Sequence, residues 1–113
     1  MNQCDYDNFH SVKRMVVLYN WLEKQAAAGD GVAAAIWVDI KTAIYGEPRM
    51  KGRMLEIVEL IGQHYMPQEE VAKQLEVSQE YVSVYFNRGV NKIQKKLLSG
   101  KMYRKQSKKR QKC

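Results

Sequence analysis

Cysteine is scarce in this chain. Its two cysteines, Cys4 and Cys113, stand at opposite ends, and neither has a second Cys or a His at ligand spacing. That argues against a disulfide framework and against a zinc site. There are only two prolines, Pro48 and Pro67, so helices can run uninterrupted on either side of them. The glycines form no phosphate-cradling loop, and no apolar run approaches the roughly 18 residues a membrane-spanning helix needs. His10 and His64 are isolated, and no nucleophile–base pair or paired-carboxylate motif stands out. No catalytic residue, metal or cofactor is therefore expected, and the chain reads as a non-enzyme. It opens with Asn2, Gln3, Asp5 and Asp7 rather than a basic patch and an apolar block, so it is expected to carry no signal peptide and to stay in the cytoplasm.

What the chain does have is a one-sided charge. The net charge is +7, yet the first hundred residues hold as many Lys and Arg as Asp and Glu. The whole excess lies beyond Gly100, in Lys101, Arg104, Lys105, Lys108, Lys109, Arg110 and Lys112, with no acidic residue among them. A segment this poor in apolar side chains cannot offset its ordering entropy, so residues 100–113 read as a disordered basic arm. Such an arm suits salt-dependent attraction to phosphate.

The remainder reads as helix throughout, and strands are unsupported because no period-two alternation occurs. From Asp5 to Ala28, Phe9, Val12, Val16 and Tyr19 form one apolar stripe and Met15, Leu18 and Leu22 another. This coverage, Trp21 included, is accounted for by a single packed core; the alternative is a partner surface, such as a homodimer contact. Gly29-Asp30-Gly31 ends that helix. A second from Val32 to Tyr45 lines up Ala33, Ile36, Trp37, Ile40 and Ile44, and Gly46-Glu47-Pro48 breaks the chain again. A third, roughly Arg49 to His64, turns Met54, Leu55, Val58 and Ile61 to the same core.

The strongest signal follows. Pro67 suits a first helical position, and Glu69 and Glu70 oppose the positive end of the helix dipole. Val71, Ala72 and Leu75 form a short apolar face whose small Ala72 allows a second helix to cross closely. Glu76 and Val77 make a turn, and Ser78 stands where a helix N-cap is wanted. After it, Val82, Phe86, Val90, Ile93 and Leu97 recur every three or four residues, giving an apolar stripe along Ser78 to Leu98. The opposite face carries Gln79, Glu80, Ser83, Val84, Asn87, Asn91 and Lys95. Donors, acceptors, a cation and an apolar group suited to a thymine methyl are what a helix needs in the major groove of DNA.

The segment from about Arg53 to Leu98 resembles region four of bacterial sigma factors, a promoter-binding helix-turn-helix. The resemblance rests on Glu69-Glu70-Val71-Ala72, Leu75, Val77-Ser78, Val82, Phe86-Asn87-Arg88-Gly89 and Ile93. The match covers under half of the chain; with the helical reading of the rest it implies an all-α domain of about five helices with a C-terminal region-four-like helix-turn-helix. The parts would be residues 1–46 as an N-terminal helical part, 47–99 as the DNA-binding part and 100–113 as the basic tail. Base edges would be met by Gln79, Glu80, Ser83, Val84 and Asn87. Phosphates would be met by Ser78, Tyr81, Arg88, Asn91, Lys92, Lys95, Lys96, Lys101, Arg104 and Lys105. Family members often have Gly or Asp where Glu76 stands, and Gln79 and Tyr81 occupy places where arginine is common. Tyr85 suits either a buried or an exposed site.

The melting segment of a full sigma factor is missing, so the chain looks like a small phage or prophage regulator of the ArpU type or a sigma-like positive control factor. The expected partner is double-stranded DNA, with RNA polymerase and a second copy of the chain as further candidates. Two copies would set recognition helices about 34 Å apart. The alternative in another class is a DNA-packaging protein such as a small terminase subunit.

Overall fold

Six α-helices make up the part of the chain that the computed structural model describes, residues 6–105, with side chains through Ser99. They are α1 (Phe9–Val17), α2 (Tyr19–Ala27), α3 (Gly31–Gly46), α4 (Gly52–Gly62), α5 (Gln68–Leu75) and α6 (Gln79–Lys105), and no strand occurs among the described residues. The all-helical expectation holds. Cys4 and Cys113 lie outside the described residues.

Local chemistry starts two of the helices at caps the sequence reading did not single out, and the first begins at Phe9 instead of Asp5. Asn8 caps α1, its Oδ1 accepting from the N–H groups of His10 (2.8 Å) and Ser11 (3.1 Å). Asp30 caps α3 in the same way, accepting from Val32 (3.0 Å) and Ala33 (3.1 Å). The single helix expected from Asp5 to Ala28 is instead two. Leu18 leaves helical geometry at φ −91° and ψ 13°, although its N–H still donates to Arg14 O at 2.9 Å. No glycine or proline marks the break. Its effect is to let α2 pack mainly on α3 while α1 packs on α6.

Helix α6 is the axis, packing against α1, α3, α4 and α5. Its stripe of Val82, Phe86, Val90 and Ile93 is fully buried, and Leu97 closes the end. Around it lie Val12, Met15 and Val16 of α1, Ile36, Ile40 and Ile44 of α3, and Ile57, Val58 and Ile61 of α4. Two glycines allow the closest approaches. A Cβ at Gly62 would lie 2.8 Å from Val16 O, and one at Gly89 would lie 2.7 Å from Val58 Cγ2. Tyr6, unremarked in the sequence, is buried at 2% exposure; its hydroxyl donates to Asp39 Oδ2 at 2.8 Å and its carbonyl accepts from Gln94 Nε2 at 3.0 Å. Tyr45 ties α3 to α4 by donating to Glu59 Oε2 at 2.6 Å. Partial burial, then the bond to Glu59 and that group's charge, raise its pKa.

Trp21 departs from the single-core expectation. It is 50% exposed, because α2 turns Tyr19 and Leu22 inward and leaves Trp21 on the outer side.

The α5–α6 junction has the anticipated turn. Pro67 is the N-cap of α5, one place earlier than expected, where its missing N–H still costs nothing. Glu76 is left-handed (φ 58°, ψ 46°), and the Val77 N–H donates back to Ala72 O at 3.0 Å, closing the end of α5. Ser78 Oγ then accepts from the Tyr81 N–H at 3.0 Å. A side chain in that left-handed conformation is strained by about 1–2 kcal/mol, and glycine would relieve it while adding about 0.4–1 kcal/mol of unfolded-state freedom. Glu76→Gly is therefore expected to stabilise the fold by roughly 0.5–1 kcal/mol. Urea denaturation checks this, and a lower midpoint for the variant would show that the Glu76 side chain makes a compensating contact.

Candidate nucleic-acid interface

Helix α6 presents its candidate residues on a rod about 40 Å long, at 1.5 Å per residue. With the apolar stripe fixed against four other helices, the outer face is set. Glu80, Val84, Arg88, Asn91 and Lys95 follow one another at helical spacing and all are exposed. Ser78 and Gln79 are exposed at the tip beside the turn.

Other expected site residues sit differently. Ser83 and Asn87 are half-buried on the flank shared with Gln94, the side that meets the N-terminal segment through Tyr6. The Oδ1 of Asn87 is enclosed and has no hydrogen-bond partner, so this oxygen does not face a groove in this conformation. Lys96 is exposed but lies about 100° around the helix from Lys95. Its Cε comes near Gly46 at the carbonyl end of α3, where the helix dipole favours a cation. Lys92 is half-buried. The side chains of Lys101, Arg104 and Lys105 lie outside the described residues, although the backbone of α6 continues to Lys105, beyond the expected end at Leu98. The remainder of the basic arm, 106–113, is outside the described residues altogether.

A further arrangement adjoins this face. Tyr81 and Tyr85 stack with ring centroids 4.5 Å apart and planes 14° from parallel, and the Arg88 guanidinium lies 5.2 Å over the Tyr85 ring. Tyr85 is thus half-buried and serves as a platform that orients Arg88. The sequence did carry the signal, since positions 81, 85 and 88 share one helical face.

Charge divides α6 and the turn before it lengthwise. Around the turn, Glu69, Glu70, Glu76 and Glu80 are exposed against a single cation, Lys73, which lies 4.0 Å from Glu70. From Tyr81 to the end of α6 there is no acidic residue, only Arg88, Lys92, Lys95, Lys96, Lys101, Arg104 and Lys105. The tip therefore offers hydrogen-bond acceptors, and the shaft offers positive charge. Among the described residues, no group of three or more His, Cys, Asp or Glu is placed to hold a metal ion.

No protein-family model matches the chain, and no curated protein or solved structure is significantly similar to it.

Proposed function

We propose that this chain is a sequence-specific transcriptional regulator that places the start of α6 in the major groove of double-stranded DNA. The observation that carries the reading is the outer face of α6: a polar tip launched by a capped left-handed turn, continuous with a cationic shaft and anchored by a fully buried stripe. In this reading Gln79, Glu80 and Val84 approach base edges, and Arg88, Asn91 and Lys95 approach the backbone. Ser83 joins them from the flank, and Asn87 does so only after its amide rotates outward. The acidic tip gives the sequence-independent attraction nothing, so affinity comes from the shaft and the basic segment beyond it. The regulator is of the phage or prophage kind. It acts at promoters either by docking on RNA polymerase, as a sigma region does, or by recruiting the enzyme from a neighbouring site.

The test begins by selecting bound fragments from genomic DNA and measuring affinity for the selected site and a scrambled duplex. Gln79→Ala is expected to weaken binding to the selected site by about 1 kcal/mol or more, narrowing the gap to the scrambled duplex. Lys95→Gln is expected to weaken both alike and to lower the salt slope by about 0.9. Equal loss on both duplexes from Gln79→Ala would move the base-reading surface elsewhere.

A further inference from the structure

We infer that the hollow between α2 and the α4–α5 connection is a binding site for a small organic anion with a flat apolar body, such as an aromatic carboxylate. The site is separate from the outer face of α6 and does not depend on the DNA-binding reading. It is a cavity of about 340 Å³, lined by Leu18, Asn20, Trp21, Lys24 and Tyr65. That volume is at the small end of the roughly 300–1,000 Å³ usual for ligand sites.

Two features of the lining are unfavourable without an occupant. Trp21 and Tyr65 are 50% and 61% exposed, leaving two large rings in water. Tyr65 also holds a left-handed backbone (φ 52°), a conformation that favours glycine and strains an aromatic residue. A glycine would satisfy the turn; the tyrosine adds a ring to the hollow. Strain combined with exposure, in a residue lining a cavity, points to a side chain that serves contact rather than folding.

The lining also specifies the ligand's chemistry. Trp21, Tyr65 and Leu18 give the hollow an apolar lining, and Asn20 supplies a hydrogen-bonding amide. The only charged residue in the lining is Lys24, which makes no ion pair with another described residue, and no acidic residue lines the cavity. One positive charge beside an apolar slot complements one negative charge on an apolar body. A second copy of the chain fits less well where the two-fold axis runs through this hollow, because that would bring Lys24 toward its own counterpart. Tyr65 stands two residues before Pro67, the N-cap of α5, so an occupant would touch the segment that sets the helix-turn-helix against α4.

The experiment titrates naphthylacetate into nitrogen-labelled full-length protein and follows the two indole N–H resonances by NMR. Trp37, whose Nε1 is enclosed, serves as internal reference. The expected result is a saturable shift at Trp21 with Trp37 unmoved, and about fivefold weaker binding of the neutral naphthylethanol, the effect of one exposed ion pair. Lys24→Gln should bring the acid down to the level of the alcohol. Tyr65→Gly should lose binding while its thermal midpoint stays equal or rises, which separates contact from folding. The inference is overturned by the absence of a saturable shift up to about 10 mM, weaker than any useful site. It is equally overturned if acid and alcohol bind alike, if Tyr65→Gly binds as the parent does, or if sedimentation shows a dimer that excludes the probe.

Discussion

Phe86→Ala is expected to lower the free energy of unfolding by about 3–5 kcal/mol, a large share of the roughly 5–15 kcal/mol typical of a folded domain. Phe86 is fully buried midway along the α6 stripe, with Val82 a turn before it and Val90 a turn after. The Lys13 ammonium lies 6.0 Å from the centre of its ring, on the α1 side. Because α6 meets α1, α3, α4 and α5, the hole left by the ring opens where helices fixed by other contacts cannot all close in. The cost should therefore include both the lost burial and the cavity. Val84→Ala, two residues earlier on the 40% exposed side, is the matched control and is expected to change stability by no more than about 0.5 kcal/mol. Urea denaturation of both variants, read by circular dichroism, makes the comparison. Equal effects would mean that α6 is not the axis of the core.

On the proposed DNA-binding reading, replacing the seven Lys and Arg of residues 101–113 by Gln is expected to cause the largest single change in affinity for DNA. If about four of these cations meet phosphates, the slope of log affinity against log salt should flatten by about 3 to 4, or about a thousandfold in affinity near 0.1 M salt. Glutamine keeps helix propensity close to that of lysine, so the backbone of α6 through Lys105 should be preserved. The substituted positions also follow Leu97, the last buried side chain among the described residues of α6, so the fold should be unaffected. The preference for the selected site over a scrambled duplex should persist, since phosphate contacts position a protein without reading sequence. An unchanged salt slope would show that the basic end of the chain does not touch DNA.

Much of the geometry of the candidate face was legible because its signals are local. Ser78 as a cap, the turn at Glu76 and the stripe from Val82 to Leu97 all depend on residues within a turn or two of one another. The fate of the polar face was less legible. Periodicity separates apolar from polar sides, but a broad polar face has two flanks, and only the position of the neighbouring helices decides which flank is covered. Ser83 and Asn87 fell on the covered flank, while Glu80, Val84 and Arg88 did not. Lys96 and Lys95 are adjacent in sequence yet diverge, one toward α3 and the other outward.

The amino-acid sequence alone determined that the chain would be helical, where α3 and α6 would start, which stripe of α6 would be buried and where the charge would collect. Those outcomes follow from hydrogen bonds and side-chain spacing within single helices, which neighbouring elements adjust but do not set. Tertiary structure alone decided that the first helix would break at Leu18, that Tyr6 would be buried, and that Gly62 and Gly89 would mark the closest helix crossings. It also brought Trp21 and Tyr65 to one cavity from more than forty residues apart. These depend on which helices meet and at what angle, a property of packing between distant segments that no local pattern encodes.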